Sequence, residues 1–580
     1  MSRDLPYADL LKNNDHLGSS IVNDQYKVAL LSNIVTNQLS DFLEFQLRTH
    51  GLPAVVKVGA YDNILQDSLK YSSSRLVVVF WETCNLIKDF HHTVESLDSP
   101  CLNKLFDDVT LKLDLFFRGI DKTHLVLFNK FSSTLFDYSV ADQSKLRRLS
   151  DRLNLYLEKS IPNNVFLVDI DNIYAAIGVN NAVDWRFFYS AKALYSIQFF
   201  AAYAEYVLPV VLSREGASKK ALIFDCDNTL WGGVLGEDGH NEIKMNDNSA
   251  TGRIYREIQS LAVALSKSGV LIGLCSKNNS SDIDNVLSEH PDMLLRTEHL
   301  SAKRTNWLDK ATNLRRIAEE LNIDLNSIVF VDDSEFEVNW IREQCPEVVV
   351  LQVPKELHLY PQMIRTSFKL FLNSGLTRED RSRVKMYQVQ AQRVSAKNRF
   401  TDLVSYLRYL QMKISLVVDD KPSVPRLAQL TQKTNQFNLS VKRYTEQTIL
   451  SFMDDPHSHV FSFSVIDRYG DNGITGLCII TTDTKTHEAI LDTFLMSCRI
   501  IGREIEIAVF DYLADWLKDV GVRTLEATYV NTTKNLMVVD FLTKAGFTCS
   551  ITGATESAYR IDLGLRNRSD IDFIDVIPSP

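Results

Sequence analysis

Short continuous apolar runs alternate with stretches of three- and four-residue hydrophobic spacing through the first part of the chain. Lys27-Val-Ala-Leu-Leu-Ser-Asn33, Ala54-Val-Val-Lys-Val58, Leu76-Val-Val-Val-Phe-Trp81, Leu125-Val-Leu-Phe128 and Val165-Phe-Leu-Val-Asp-Ile170 read as buried strands, and Gln38 to His50 reads as an amphipathic helix. Strands that are apolar on both faces and separated by helices predict a parallel sheet, so residues 1–215 are expected to form one α/β domain. The polar residues 1–25 are expected to be a loose lead-in. The apolar run Ala193 to Leu212 contains Gln198, Glu205 and Pro209, which predicts a buried helix followed by a strand or loop, not a membrane span.

The same alternation resumes over residues 216–395. Ala221-Leu-Ile-Phe224, Gly269-Val-Leu-Ile-Gly-Leu-Cys275 and Ser327-Ile-Val-Phe-Val-Asp332 read as buried strands. Thr251 to Lys267 places Ile254, Ile258, Leu261 and Leu265 on one helical face. Residues 376–410 are charged and helical in pattern, as in a connector. Over 396–580 the period changes to two: Lys413 to Val418, Val460 to Ile466, Ile474 to Ile480 and Ala489 to Met496 read as strands. Arg468-Tyr-Gly-Asp-Asn-Gly473 reads as a hairpin turn and Glu504 to Lys518 as a long helix, predicting a third, mixed α+β domain.

Composition narrows the classes. A 45% hydrophobic and 23% charged chain is ordinary globular protein, and a formal charge of −10 gives no nucleic-acid footprint. The eight cysteines include no Cys-x-x-Cys pair, so neither a zinc site nor a disulfide framework is expected. A reducing cytoplasm fits that usage, and Met1-Ser-Arg-Asp-Leu-Pro-Tyr-Ala-Asp9 carries charges where a signal peptide needs an apolar core.

The chemistry gathers at strand ends. Asp225, Asp227 and Thr229 crowd the end of the strand at 221–224, where open α/β sheets place ligands. Two carboxylates there need a compensating cation or proton, and Mg2+ would serve, since it prefers one or two carboxylates with substrate phosphate oxygens. An acidic turn after a strand is the plain alternative for Asp-x-Asp alone. Ser276-Lys277-Asn278 ends the next strand and Asp332-Asp333 ends the strand from Ser327, with the candidate lysines Lys303 and Lys310 between them.

Asp225-x-Asp227-x-Thr229 resembles the first motif of the haloacid dehalogenase (HAD) superfamily, and its extension Asn-Thr-Leu-Trp-Gly-Gly-Val-Leu-Gly-Glu-Asp-Gly239 resembles the FkbH-like (subfamily IIIC) branch. The resemblance implies Asp225 as phosphoryl-accepting nucleophile and Asp227 as acid/base. It further implies Thr229, Ser276, Lys277, Asn278 and Lys310 around the phosphoryl group, and Asp225, Asp227, Asp332 and Asp333 around Mg2+. Trp231, Gly232 and Gly233 are expected to form a short flap over the phosphate, with Trp231 packing as core the alternative. The cap is small, so the cleft is expected to be open.

Residues 1–215 resemble the SGNH-hydrolase-like N-terminal region of longer FkbH-like proteins. The first strand ends Leu31-Ser32-Asn33, and no histidine lies between His124 and His240, so a triad lacks its base and no hydrolysis is expected there. Ser32, Asn33 and Asn37 are either remnants of a pocket or ordinary loop polar groups. Residues 396–580 resemble the GNAT acyltransferase fold. Arg499, Gly502 and Arg503 stand where a pyrophosphate loop would be, Asn531 and Lys534 match a later motif, and Glu504 departs from the pattern. Thr434-Asn-Gln-Phe-Asn-Leu439 also reads like the FkbH-like C-terminal region. FkbH-like proteins take a glyceryl unit from 1,3-bisphosphoglycerate, remove phosphate and deliver glyceryl to an acyl carrier protein thiol. That implies an acyl-accepting cysteine, with Cys275 the first candidate and Cys226 and Cys498 the others. A plain phosphatase of small phosphorylated metabolites or sugars, and a non-enzymatic scaffold, are the competing readings.

Overall fold

The computed structural model of the chain describes residues 5–579 apart from 20, 22–24, 87–89, 138–143, 373–399, 401, 484, 533–534 and 554. Most of the expected connector at 376–410 therefore lies outside the described residues. The chain divides into two compact units, Met1–Leu212 with Arg443–Thr448, and Ser213–Lys442 with Ile449–Pro580. Among the described residues no helix is long and apolar enough to cross a membrane.

The first unit holds a five-stranded parallel sheet of β1 (Tyr26–Ser32), β2 (Ala54–Val58), β3 (Leu76–Phe80), β4 (Leu125–Asn129) and β5 (Val165–Val168), in the order β2-β1-β3-β4-β5. β3 and β4 are buried along their whole length, as strands with helices on both faces must be. Two local expectations change. The lead-in contains a helix, Tyr7–Ser19, whose Leu10 is buried and whose Asn14 meets Glu44 and Arg48 of the helix Asn37–Thr49. Its apolar stripe is thin, because polar side-chain pairing makes up much of the contact. The run after Ala193 is one helix, Ile197–Arg214, with Pro209 inside it.

In the second unit, β6 (Ala221–Phe224), β7 (Leu271–Ser276), β8 (Leu300–Thr305), β9 (Ile328–Asp332) and β10 (Val349–Gln352) form a five-stranded parallel sheet, order β10-β9-β6-β7-β8. Alternate residues feed opposite layers, as strand geometry requires. Leu222, Phe224, Ile272, Leu274, Val329 and Val331 pack on one face, and Ala221, Ile223, Leu271, Ile328 and Phe330 on the other. Each fully buried aliphatic or aromatic side chain contributes about 1.5–3 kcal/mol relative to exposure. β6 lies between β9 and β7, so the loop after it is at the middle of the sheet's carboxyl edge.

The same unit carries a mixed sheet of β11 (Met412–Val418), β12 (Phe437–Asn438), β13 (Ser458–Asp467), β14 (Gly470–Asp483), β15 (Glu488–Met496), β16 (Thr524–Val530), β17 (Thr548–Thr552), β18 (Glu556–Asp562) and β19 (Ile574–Ser579). β13 and β14 join through a tight turn closed by Asp467 and Gly470. β15 and β16 pair in parallel only from Glu488–Leu491 against Thr524–Ala527. Beyond that point β12 pairs with Met496 and Leu495, Leu439 N–H donates to Phe494 O at 3.0 Å, and Val530 N–H donates to Leu439 O at 3.0 Å. Residues 437–439 thus bridge the two strands where their direct pairing stops.

Candidate active site

Asp225 follows β6 directly, and its N–H continues the ladder by donating to Val331 O at 2.9 Å. That bond carries the strand one residue further and holds the carboxyl group at the carboxyl edge. Asp332 ends the neighbouring β9 and Asp333 follows it. One carboxylate oxygen from each of Asp225, Asp332 and Asp333 lies within 4.8 Å of the other two. Lys310, the first residue of the helix Lys310–Leu321 capped by Asp309, reaches into this group: its Nζ is 2.7 Å from Asp332 Oδ2 and 3.2 Å from Asp225 Oδ1.

Asp225, Asp332 and Lys310 are buried, so one ammonium faces three carboxyl groups in a poorly solvated place. Burial raises the Asp332 carboxyl above its ordinary range and Asp225 adds to the rise, against the pull of Lys310. Asp333 is raised by burial and by Asp225. Burial alone would lower the Lys310 ammonium, yet Asp225 and Asp332 hold it above its usual range. Apart from the Lys310 ammonium, Asp225 Oδ1 has no partner among the described residues. This excess of negative charge and the all-oxygen donor set fit a hard divalent cation such as Mg2+. Lys303, the other candidate lysine, is spent on Asp284.

Asp227 is held differently. Its Oδ1 accepts from the Trp231 indole N–H and the Leu235 backbone N–H, both at 2.9 Å, and its Oδ2 accepts from Asn278 Nδ2 at 2.9 Å. Its carboxylate stands outside the group of three, so the expected side-chain role at the metal is corrected: the carboxylate is aimed by donors from three sides. Trp231 is likewise not a flap. It is fully buried beside Leu230 and Tyr255, and its one polar atom fixes Asp227. Gly232 and Gly233 shape this turn: a Cβ on Gly232 would meet the Tyr255 ring at 2.9 Å, and Gly233 has φ +105.

On β7, Ser276 is buried at the strand end, and Asn278 Nδ2 bonds its Oγ at 3.1 Å as well as Asp227. Thr229 is buried with its hydroxyl unpartnered among the described residues. Lys277 Nζ pairs with Glu337 Oε1 at 2.5 Å, in the first turn of the helix Glu335–Gln344. Glu337 is a site residue without an assigned role in the sequence reading. It is buried, its Oε2 unpartnered among the described residues, and the signal was there: an acid four residues beyond Asp333.

Cys275 does not reach the site as a nucleophile. It is fully buried in the layer with Ala311 and Leu314, its Sγ facing Lys310 O at 3.8 Å, and burial pushes its thiol well above the ordinary range. Ser276 follows on the other side of the strand, so pleating sends the thiol away from the cleft. Cys226 is buried in the opposite apolar layer and its thiol is raised by burial too. Cys498 is partly exposed, and its carbonyl accepts a hydrogen bond from Asn322.

The other expected sites are less complete. The Ser32 hydroxyl donates to Ile34 O at 2.7 Å, and Asn33 ties β1 to the end of β3 through Glu82 N and O at 2.7 and 2.9 Å. Asn37 is an exposed helix-start residue. Arg503 is buried against Asp467 at 2.9 Å, a paired side chain instead of a phosphate ligand, which corrects that expectation. Glu504 sits at the start of the helix Ile505–Asp519 with φ +60, placing negative charge where an anion would bind. Gly502 has φ +76, and Asn531 N–H donates to Thr555 O. The Arg499 side chain and Lys534 lie outside the described residues. Residues 437–439 take up backbone groups of β15 and β16 where those strands part.

Among solved structures, the N-terminal part of the protein BF1531 from Bacteroides fragilis, containing a phosphatase domain and complexed with Mg, is similar to this chain. The TM-score is 0.55 and the identity 25%, covering 64% of this chain and all of that one. An N-acetyltransferase from Staphylococcus aureus Mu50 matches with TM-score 0.22 and 14% identity over 26% of this chain and 98% of its own. The ribosomal-protein-S18-alanine N-acetyltransferase from Escherichia coli gives TM-score 0.21 and 16% identity over 27% and 97%. Scores that low assign no fold. No family model matches the chain, and no curated protein matches it.

Proposed function

We propose that this chain is a Mg2+-dependent phosphatase of the HAD type that works through a phosphoryl-aspartate at Asp225. The observation that carries the reading is the buried group of Asp225, Asp332 and Asp333 with Lys310 at the middle of the sheet's carboxyl edge. The similarity to a phosphatase domain complexed with Mg supports it. Asp225, Asp332 and Asp333 would hold the ion, which when bound offsets charge on the carboxylates and the phosphate oxygens.

The Asp225 carboxylate attacks phosphorus and the bond from phosphorus to the leaving oxygen breaks. Asp227 gives that oxygen its proton. In the second half Asp227 takes a proton from water as the water oxygen attacks the phosphoryl-aspartate, releasing phosphate and restoring both carboxyl groups. The three donors on Asp227 keep it aimed through both transfers, and Lys310, Ser276 and Asn278 offer positive charge and hydrogen-bond donors to the transferring group.

The finer reading is glyceryl transfer: a glyceryl unit from 1,3-bisphosphoglycerate, dephosphorylated here and passed to an acyl carrier protein. The sequence resemblance over residues 221–337 supports it, while the burial of Cys275 speaks against that residue as the acyl carrier. Phosphate release from small phosphoesters, with and without chelator, tests the first reading. Release that needs Mg2+ and is lost in Asp225→Asn is expected, and release unchanged in that variant overturns it. Mass analysis of a carrier protein incubated with the enzyme and 1,3-bisphosphoglycerate tests the second.

A further inference from the structure

We infer that Glu337 is the resting partner of a phosphate-binding lysine: the Lys277 ammonium leaves it for the phosphoryl group and returns to it as phosphate departs. Glu337 is thus a positioning residue that competes with phosphate for Lys277 and favours product release. The inference rests on the phosphatase reading and adds to it how the site lets its product go.

The ion pair stands across the site. Lys277 follows the last residue of β7, Glu337 lies in the first turn of the helix after β9, and β6 runs between those two strands. The 2.5 Å contact from Lys277 Nζ to Glu337 Oε1 therefore spans the strand end that carries Asp225. Both partners are tied into the site through their neighbours. Asn278, next to Lys277, donates to Ser276 Oγ at 3.1 Å and to Asp227 Oδ2 at 2.9 Å. Ser334 N–H donates to Asp332 Oδ1 at 2.9 Å, and Glu337 N–H donates to Ser334 Oγ at 3.4 Å.

The two partners differ in freedom. The Glu337 side chain is 9% exposed and its Oε2 is unpartnered among the described residues, so a poorly solvated charge keeps its demand for a cation. The Lys277 side chain is 36% exposed, and its flexible four-carbon stem lets the ammonium turn toward a neighbouring anion without a backbone movement. Lys310 lacks that latitude, since its side chain is 4% exposed and held between Asp225 and Asp332. A phosphoryl group arriving at Asp225 brings further negative charge to the strand end that the pair spans, and Lys277 then faces an anion on each side. Glu337 draws the ammonium back throughout, which weakens the hold on free phosphate.

Calorimetric binding of inorganic phosphate at saturating Mg2+ tests this on the full chain and two variants. Glu337→Gln keeps the shape of the side chain and removes the competing charge. Phosphate should bind it about tenfold tighter than the wild type, the worth of one charge-assisted hydrogen bond. In turnover the same variant should show a lower KM and stronger inhibition by phosphate. The double variant Lys277→Met with Glu337→Gln removes both charges together and leaves no buried carboxylate unpaired, so it avoids the folding cost of Lys277→Met alone. It should bind phosphate no tighter than the wild type. A gain that persists in the double variant comes from the lost negative charge alone and overturns the exchange. Binding to the wild type that Glu337→Gln leaves unchanged or weakens overturns it too, with the phosphatase reading intact. No binding to any of the three chains overturns that reading as well.

Discussion

Asp227 shows how much one side chain's surroundings matter to this site. Its two oxygens take three donors, one of them the indole of a fully buried tryptophan. Trp231→Phe keeps most of the ring but removes that donor, so kcat should fall about tenfold or more while KM for a phosphoester changes little. An unchanged kcat would show that the backbone and Asn278 donors suffice. Cys275→Ala should retain Mg2+-dependent phosphate release and lower stability by about 1 kcal/mol through a small cavity. Loss of release without loss of fold would return the thiol to the chemistry. The strand-end acids stood out in the sequence because carboxylates followed apolar runs, whereas Ser276 and Lys310 were singled out only by the family resemblance. The turn after Asp225 was not legible, since nothing in Trp231-Gly232-Gly233 says whether an indole covers a ligand or points inward; the bond to Asp227 decides it.

At the scale of elements, strands that are apolar throughout were readable because a parallel sheet buries both faces. The helix Tyr7–Ser19 was missed because its packing relies on Asn14, Arg48 and Tyr7 as much as on Leu10. β12 was also invisible: two residues give no period, and its place depends on strands that lie far along the chain. Asn438 is fully buried there, bonding Thr434 O and Val441 N at 3.1 and 3.0 Å, while its own carbonyl accepts from Asn535. Asn438→Ala should therefore destabilise the chain by about 1–3 kcal/mol. With residues 437–439 bridging β15 and β16, coenzyme A should not raise the melting temperature; a clear rise would show that the bridge yields to an extended ligand.

For the whole molecule, the alternation of elements did not show that Arg443–Thr448 group with the first unit, nor that the β6-containing sheet and the mixed sheet belong to one compact unit. That grouping depends on contacts such as Asn322 with Cys498 and Gln436 with Asp324, which no local pattern encodes. The first unit carries its own pH dependence. Burial raises the Glu82 carboxyl from 4.5 to about 7, against a hydrogen bond from Tyr195. A carboxyl raised in the folded state stabilises it fully below pH 4.5 and loses that contribution as pH climbs to about 7. The loss is about 3 kcal/mol, so Glu82→Gln should flatten the fall in melting temperature between pH 5 and 8. An equally steep fall in the variant would place the pH dependence elsewhere.

The account turns on a covalent phosphoryl group at Asp225. Brief incubation with acetyl phosphate and Mg2+, acid quenching and peptide mapping by mass spectrometry test it most directly. The expected result is one acid-stable, base-labile phosphoryl group on the peptide containing Asp225, absent in Asp225→Asn and in the presence of chelator. A phosphoryl group on another residue, or its persistence in a folded Asp225→Asn chain, would contradict the account.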